Sequence, residues 1–155
     1  MMVNSIRFSG LFLTALVVGT TFGIWLGYNP SGFSYPTYVE QQQHAITALN
    51  TIMPILGGIC IMLNSVLAAL TTGDKFASYI IIAAVILLVA TALITNLGNQ
   101  PINAIVMTWN PQVSTDNWME LRDSWWKWHI LRTSTGSIAF AMLLIAALRV
   151  KTQAQ

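Results

Sequence analysis

Few side chains in this chain are able to do chemistry. Its 155 residues hold two histidines, His44 and His129, with seven lysines and arginines and five acidic residues. Glu40 and His44 are four residues apart and share a face if their segment is helical. A carboxylate and an imidazole one turn apart make an acid/base pair or two metal ligands. The same spacing also serves an ion pair at a helix start.

The richest segment runs from Asp116 to Thr133. Read as a helix, Trp118, Arg122, Trp125, His129, Arg132 and Gly136 follow a 4-3-4-3-4 spacing and form one stripe. Two cations, an imidazole and two indoles on one face belong against a protein interior at the stripe's lower end, because lipid would make them expensive. Arg132 lies 17 residues before Arg149, which is about 25 Å along a helix. That depth puts it just inside a hydrocarbon core of about 30 Å, where an arginine signals function unless a carboxylate such as Asp123 or Glu40 neutralises it. A third group, Gly98-Asn99-Gln100-Pro101-Ile102-Asn103, offers amides. Asn103 can hold a substrate oxygen or a loop carbonyl, and the group can equally be a cap or turn.

The two histidines allow three chemistries. One is acid/base work on a bound organic molecule. A second is a metal held by His44 and His129 with Glu40 or Asp123. A third is haem b ligated between the second and fourth helices, which their unequal depths disfavour.

Composition decides what must position these groups. Charged residues are 8% and hydrophobic residues 55%, and the mean hydropathy is +0.63. So few charges cannot cover a soluble fold, and so much apolar content is incompatible with disorder. A net charge of +2 provides no basic stripe for nucleic acid. The single cysteine excludes an internal disulfide and a thiolate cage. An all-α integral membrane four-helix bundle remains, one membrane domain over 1–155.

Charge-free intervals over 8–39, 41–73 and 76–115 each exceed the roughly 20 residues a span requires. They predict helices near 6–28, 47–70 and 76–97. The fourth interval, 133–148, is short, so its helix is placed at 125–150 with Trp125, Trp126 and Trp128 at the interface. A signal peptide is the rival reading of the first span, and the absence of a clear cleavage motif favours a retained helix. Connections of about 18, five and 27 residues follow. Arg7, Lys75, Arg149 and Lys151 share one side, which points to cytoplasmic termini and two long loops on the non-cytoplasmic side.

Three packing expectations accompany the spans. Gly19, Gly23 and Gly27 predict a small face for packing within the bundle, with a dimer face as the alternative. Pro54, followed by Gly57 and Gly58, predicts a kink that opens a cavity. Asn50, Asn64 and Asn96 are expected to turn inward. Half of the charge, Asp116, Glu120, Arg122, Asp123, Lys127 and Arg132, sits within 116–132 and sums to zero. It forms a balanced polar lid where the fourth helix begins.

Asn99, Pro101 and Asn103, followed by Trp118, Arg122, Trp125 and Trp128-His129-Ile130-Leu131-Arg132-Thr133, resemble the anthrone-oxygenase-like family of small four-helix membrane proteins. The family pattern is N-x-P-x-N near the end of helix three, then tryptophans and W-N-x-x-R-T or W-H-x-x-R-T entering helix four. Many members carry asparagine where His129 stands. The segment from Glu40 to His44, with Asn50 and Pro54, resembles one branch. The resemblance implies oxidation of a flat, lipid-soluble anthrone to an anthraquinone without metal or flavin. On that reading a base (His129 or His44, with Glu40), Arg132 and Asn103 at the oxyanion, and walls from Trp118, Arg122, Trp125, Trp128 and Asn99 are expected. A non-enzymatic subunit or binding protein of a membrane assembly, a homo-oligomer, and a metal or haem redox protein are the alternatives.

Overall fold

The computed structural model describes residues 2–152, and they are helical almost throughout. The helices are α1 (Met2–Gly27), α2 (Tyr35–Leu49), α3 (Ile52–Leu70), α4 (Lys75–Ile94), α5 (Gln100–Val106) and α6 (Trp118–Thr152). A π-helical turn, Thr95–Asn99, joins α4 to α5 into one rod. Four segments among the described residues are long and apolar enough to cross a membrane: Met2–Gly32, Ile52–Leu70, Lys75–Val106 and Trp118–Arg149. Large apolar side chains such as Phe8, Phe12, Ile86, Leu93 and Ile145 remain exposed. Lipid suits such a surface and water does not. The chain is an integral membrane helical bundle.

The four rods pack in a ring. α1 touches α3 and α6, and α4 touches the same two from the other side. The tightest seam joins α4 to α6. Ala77, Ile81, Ala84 and Leu88 of α4 face Ala139, Leu143 and Ala146 of α6 in one buried cluster that also includes Leu67. Alanines on both sides let the backbones approach closely, which is how membrane helices gain van der Waals contact. A second core, at the end where α6 begins, is aromatic: Tyr35, Tyr38 and Trp125 pack with Val39, Ile46, Ile102 and Val106. We call this the aromatic end.

The glycine face expected on α1 is not used for packing within the bundle. Gly19, Gly23 and Gly27 are exposed, and a methyl group added at any of them would meet nothing within 4 Å. α1 instead buries Gly10, Thr14 and Val18. Asn64 is inward as expected, donating to Thr14 Oγ1 at 3.2 Å and to the Cys60 carbonyl at 2.8 Å. Asn50 and Asn96 are exposed, yet both also line the cavity between the helices.

Three element boundaries differ from the sequence reading, each for a local reason. The connection expected over 29–46 is mostly helix α2, and the chain is interrupted at Asn50 and Thr51 before α3 begins. Pro54 explains the break. It has no N–H for the Asn50 carbonyl and its ring crowds that oxygen, so one helix cannot run through. The third helix does not stop at 97. Pro101 likewise cannot donate to Leu97, but here the ladder slips by one residue and Gln100 N–H reaches Thr95 O. The rod thus continues to Val106. The fourth helix begins at Trp118 rather than 125, and its acidic first turn contains Glu120. Only residues 107–117 remain as a connection on that side.

Candidate functional site

Between the two cores lies a cavity of about 330 Å³, with walls from all six α-helices and the π-helical turn. Its size is at the small end of the range typical for ligand sites, about 300–1,000 Å³. Ile24, Ile46, Leu49, Met53 and Leu88 make it apolar, and a small set of polar groups interrupts those walls.

Arg132 is the one charged side chain among the described residues that line the cavity. The α6 stripe explains its position. Arg122, Trp125, His129, Thr133 and Gly136 are all buried, so Arg132 is carried to the bundle side beside them. Gly136 lies against Val18 and Thr91, which are both near the midpoints of their spans. Arg132 is one turn nearer the aromatic end, about 6 Å from that level. It is thus deeper than the membrane edge where the sequence placed it.

His129 stands directly behind the arginine. It is fully buried and stacks on the indoles of Trp125 and Trp126 at 5.1 and 5.4 Å between ring centroids. Its Nε2 is 3.1 Å from the Thr21 carbonyl, and its Nδ1 is 3.2 Å from Arg132 Nε and 2.9 Å from Nη2. A carbonyl can only accept and a guanidinium can only donate. The ring is therefore the Nε2–H tautomer, neutral, with its Nδ1 lone pair occupied by Arg132. It does not line the cavity. In this placement the acceptor nitrogen of His129, the residue expected as a base, is taken up by the Arg132 guanidinium.

The expected carboxylate partners of Arg132 are elsewhere. Asp123 pairs with Arg122 at 2.8 Å, and Glu40 is exposed on α2. Among the described residues, the guanidinium has no carboxylate within ion-pair distance and bonds only to His129.

Toward the aromatic end an amide cluster closes the cavity. Tyr28 Oη donates to Gln42 Oε1 at 2.9 Å. Asn103 Oδ1 accepts from Trp125 Nε1 at 2.8 Å and from Gln42 Nε2 at 3.4 Å. Asn103 Nδ2 in turn donates to Asn50 Oδ1 at 3.2 Å. Tyr28, Gln42, Asn50, Asn103 and Trp125 all line the cavity.

Of the expected site residues, Arg132, Asn103 and Trp125 thus meet at one cavity. Asn99 is buried beside it and donates to the Trp125 carbonyl at 3.0 Å, fixing α6 against the π-helical turn. Trp128 is not a cavity wall. Its indole covers Gly98, where any Cβ would run into the ring. Trp118 and Arg122 belong to the aromatic cap: the guanidinium sits 5.0 Å over the Trp118 ring, and Trp118 contacts Tyr35 and Tyr38. Burial there pushes the Tyr38 hydroxyl well above the usual phenol range. Glu40 and His44 share a helical face as the spacing suggested, but that face is exposed and outside the cavity. The metal set of His44, His129, Glu40 and Asp123 is therefore not assembled, and the paired histidines expected for haem b do not face each other across a site. Among the described residues no three His, Cys, Asp or Glu side chains are grouped to hold a metal ion.

Sequence reasoning missed Tyr28 and Gln42. Tyr28 entered only as the last residue of the first expected helix, and Gln42 lay between the two residues that drew notice. The usable signal was the position of Gln42 on a helix whose buried residues include Tyr38, Val39 and Ile46.

Comparison with known proteins gives a family match. No curated protein and no solved structure matches the chain. The profile described as anthrone oxygenase matches residues 43–142, which include the α3–α4 hairpin, the π-helical turn, Asn103, Trp125, His129 and Arg132. The chain belongs to the anthrone oxygenase family.

Proposed function

We propose that this protein is a membrane-embedded oxygenase acting on a flat, lipid-soluble aromatic or phenolic compound of the anthrone kind. The observation that carries the reading is Arg132: a cation at the wall of an apolar cavity, held by a neutral imidazole and matched by no carboxylate among the described residues. Such a cation is costly in place and is well suited to an oxygen that gains charge.

An anthrone has a doubly benzylic carbon opposite a ring carbonyl. Losing a proton there makes the carbonyl oxygen a phenolate and the ring system electron-rich. Arg132 stabilises that oxyanion, and apolar walls strengthen the attraction by excluding water. The electron-rich carbon then reacts with dioxygen. One oxygen atom becomes the new carbonyl of the quinone and the other leaves as water with the two hydrogens of the carbon. Among the described residues no carboxylate and no free imidazole lines the cavity, so the chain's contribution is oxyanion stabilisation and orientation, and both hydrogens of the carbon end in the water formed from dioxygen. Asn103, fixed by Trp125 and Gln42, presents an amide at the other polar end.

The lysine and arginine bias supports cytoplasmic termini, with the aromatic end on the far side. The test of function is dioxygen consumption and quinone formation by the purified chain in lipid nanodiscs with an anthrone. Turnover above the spontaneous rate, lost in Arg132→Gln, supports the reading; equal rates with and without protein refute it.

A further inference from the structure

Of the residues lining the cavity, Asn50, Pro54, Gly58 and Asn96 are exposed. They have a pattern. Pro54 and Gly58 are four residues apart and share a face of α3, and Asn50 stands at the break just before it, so the three make a discontinuous ridge. Asn96 belongs to the π-helical turn of the neighbouring rod. A residue that both lines a cavity and is exposed marks its rim, so the rim has one edge on α3 and the other on the rod that packs against it.

The depth of this rim is informative. Asn96 is about 8 Å, and Gly58 about 5 Å, from the midpoint of its own span, inside a hydrocarbon half-thickness of about 15 Å. At that depth the Gly58 and Asn96 part faces acyl chains, while Asn50, about 16 Å from the midpoint of the Ile52–Leu70 span, stands at the interfacial end of the gap. Its chemistry fits an opening. Gly58 and Gly57 offer no side chain, and a Cβ added to either would meet nothing within 4 Å. Pro54 provides no N–H to the Asn50 carbonyl, and Asn96 holds an amide at hydrocarbon depth, where an idle polar group is costly.

We propose that the cavity is loaded sideways from the bilayer, between the Asn50–Pro54–Gly58 ridge and Asn96, by an uncharged lipid-soluble molecule bearing an oxygen acceptor. The rim amides offer hydrogen bonds to its polar end during passage, and Arg132 meets the oxygen inside. The class of ligand rests on the proposed function; the lateral mouth does not.

The experiment keeps the two apart. The full chain is placed in nanodiscs with Cys60→Ala and a bimane label on Asn96→Cys or, separately, Gly58→Cys. Quenching by lipids brominated on the acyl chain, with little quenching by iodide, supports the lateral mouth. Quenching by iodide alone at both positions overturns it. In a second arm the bilayer carries a fluorescent lipid-soluble phenol of the naphthol class, and binding is followed in time. Gly58→Trp and Asn96→Trp should slow both loading and release by roughly tenfold, because a blocked passage affects both directions, while Gly19→Trp on the exposed face of α1 changes neither. Unchanged rates in both rim variants overturn the route. If the wild type binds no phenol while the label still reports acyl chains, the ligand class and the proposed function fall and the mouth stands.

Discussion

Arg132 gives its Nε and Nη2 hydrogens to one atom, Nδ1 of His129, at 3.2 and 2.9 Å. The imidazole is thereby a positioning residue, because its other nitrogen is anchored on the Thr21 carbonyl of α1. The cation's direction is set by three links in series: a helix backbone, a ring and a guanidinium.

From this arrangement, His129→Leu should lower turnover by about 10²-fold, since a misplaced catalytic group costs that much. His129→Asn keeps a short side chain with an accepting oxygen and should recover part of the loss. The Nε2–H tautomer is checked directly by the ¹⁵N shifts of the His129 ring. Loss of activity without rescue by asparagine would mean that the ring, not its acceptor, is what matters.

The stripe on α6 was legible in the sequence because a 3-4-3 spacing of Arg122, Trp125, His129 and Arg132 has a single geometric meaning. Which of those residues reach the cavity was not legible. Adjacent positions on one stripe face different neighbours, and only the π-helical turn, with Asn99 held to the Trp125 carbonyl, decides that Trp125 and Arg132 line the space while His129 stands behind. The turn itself was hidden, since Pro101 reads equally as a helix end. Glu40 and His44 illustrate the opposite case: their shared face was correct, and burial, which spacing does not specify, made it solvent- or lipid-side.

Exposure of that face leads to a second expectation. Glu40→Gln and His44→Gln, singly or together, should leave turnover within about twofold and stability within about 0.5 kcal/mol, as surface changes usually do. A large loss in either would show that α2 turns this face into the site in the working protein.

The contact of Trp128 with Gly98 predicts a packing defect. Gly98→Ala places a methyl group into the indole, and such overpacking costs about 1–3 kcal/mol. Thermal unfolding in detergent should show the drop, and Trp128→Ala in the same chain should restore much of it by vacating the space.

At the opposite end, Asp74 caps α4. It accepts from the backbone N–H groups of Ala77 and Phe76 at 3.1 and 3.0 Å, and Arg149 Nε donates to it at 2.9 Å. The Ala77 hydrogen bond first, and then the arginine, hold its carboxyl below the ordinary value of 3.8. A carboxylate lowered on folding adds stability that is present above the ordinary value and is lost as pH falls through the lowered one. Unfolding temperature should therefore decline below about pH 4 by this route, and Asp74→Asn should remove that part of the decline. A decline of the same size in the variant would assign the acid sensitivity to other carboxylates.

The decisive measurement is the pairing of stability with turnover in Arg132→Met. Methionine fills similar space, and among the described residues no carboxylate is left unpaired when the guanidinium goes. Replacing an unmatched cation in an apolar wall should leave the unfolding temperature in nanodiscs unchanged or raise it. Turnover of an anthrone should fall by roughly 10²–10³-fold with the oxyanion's main donor gone. A chain that instead unfolds several degrees lower and retains its turnover would show that Arg132 holds the bundle together and does not hold a substrate.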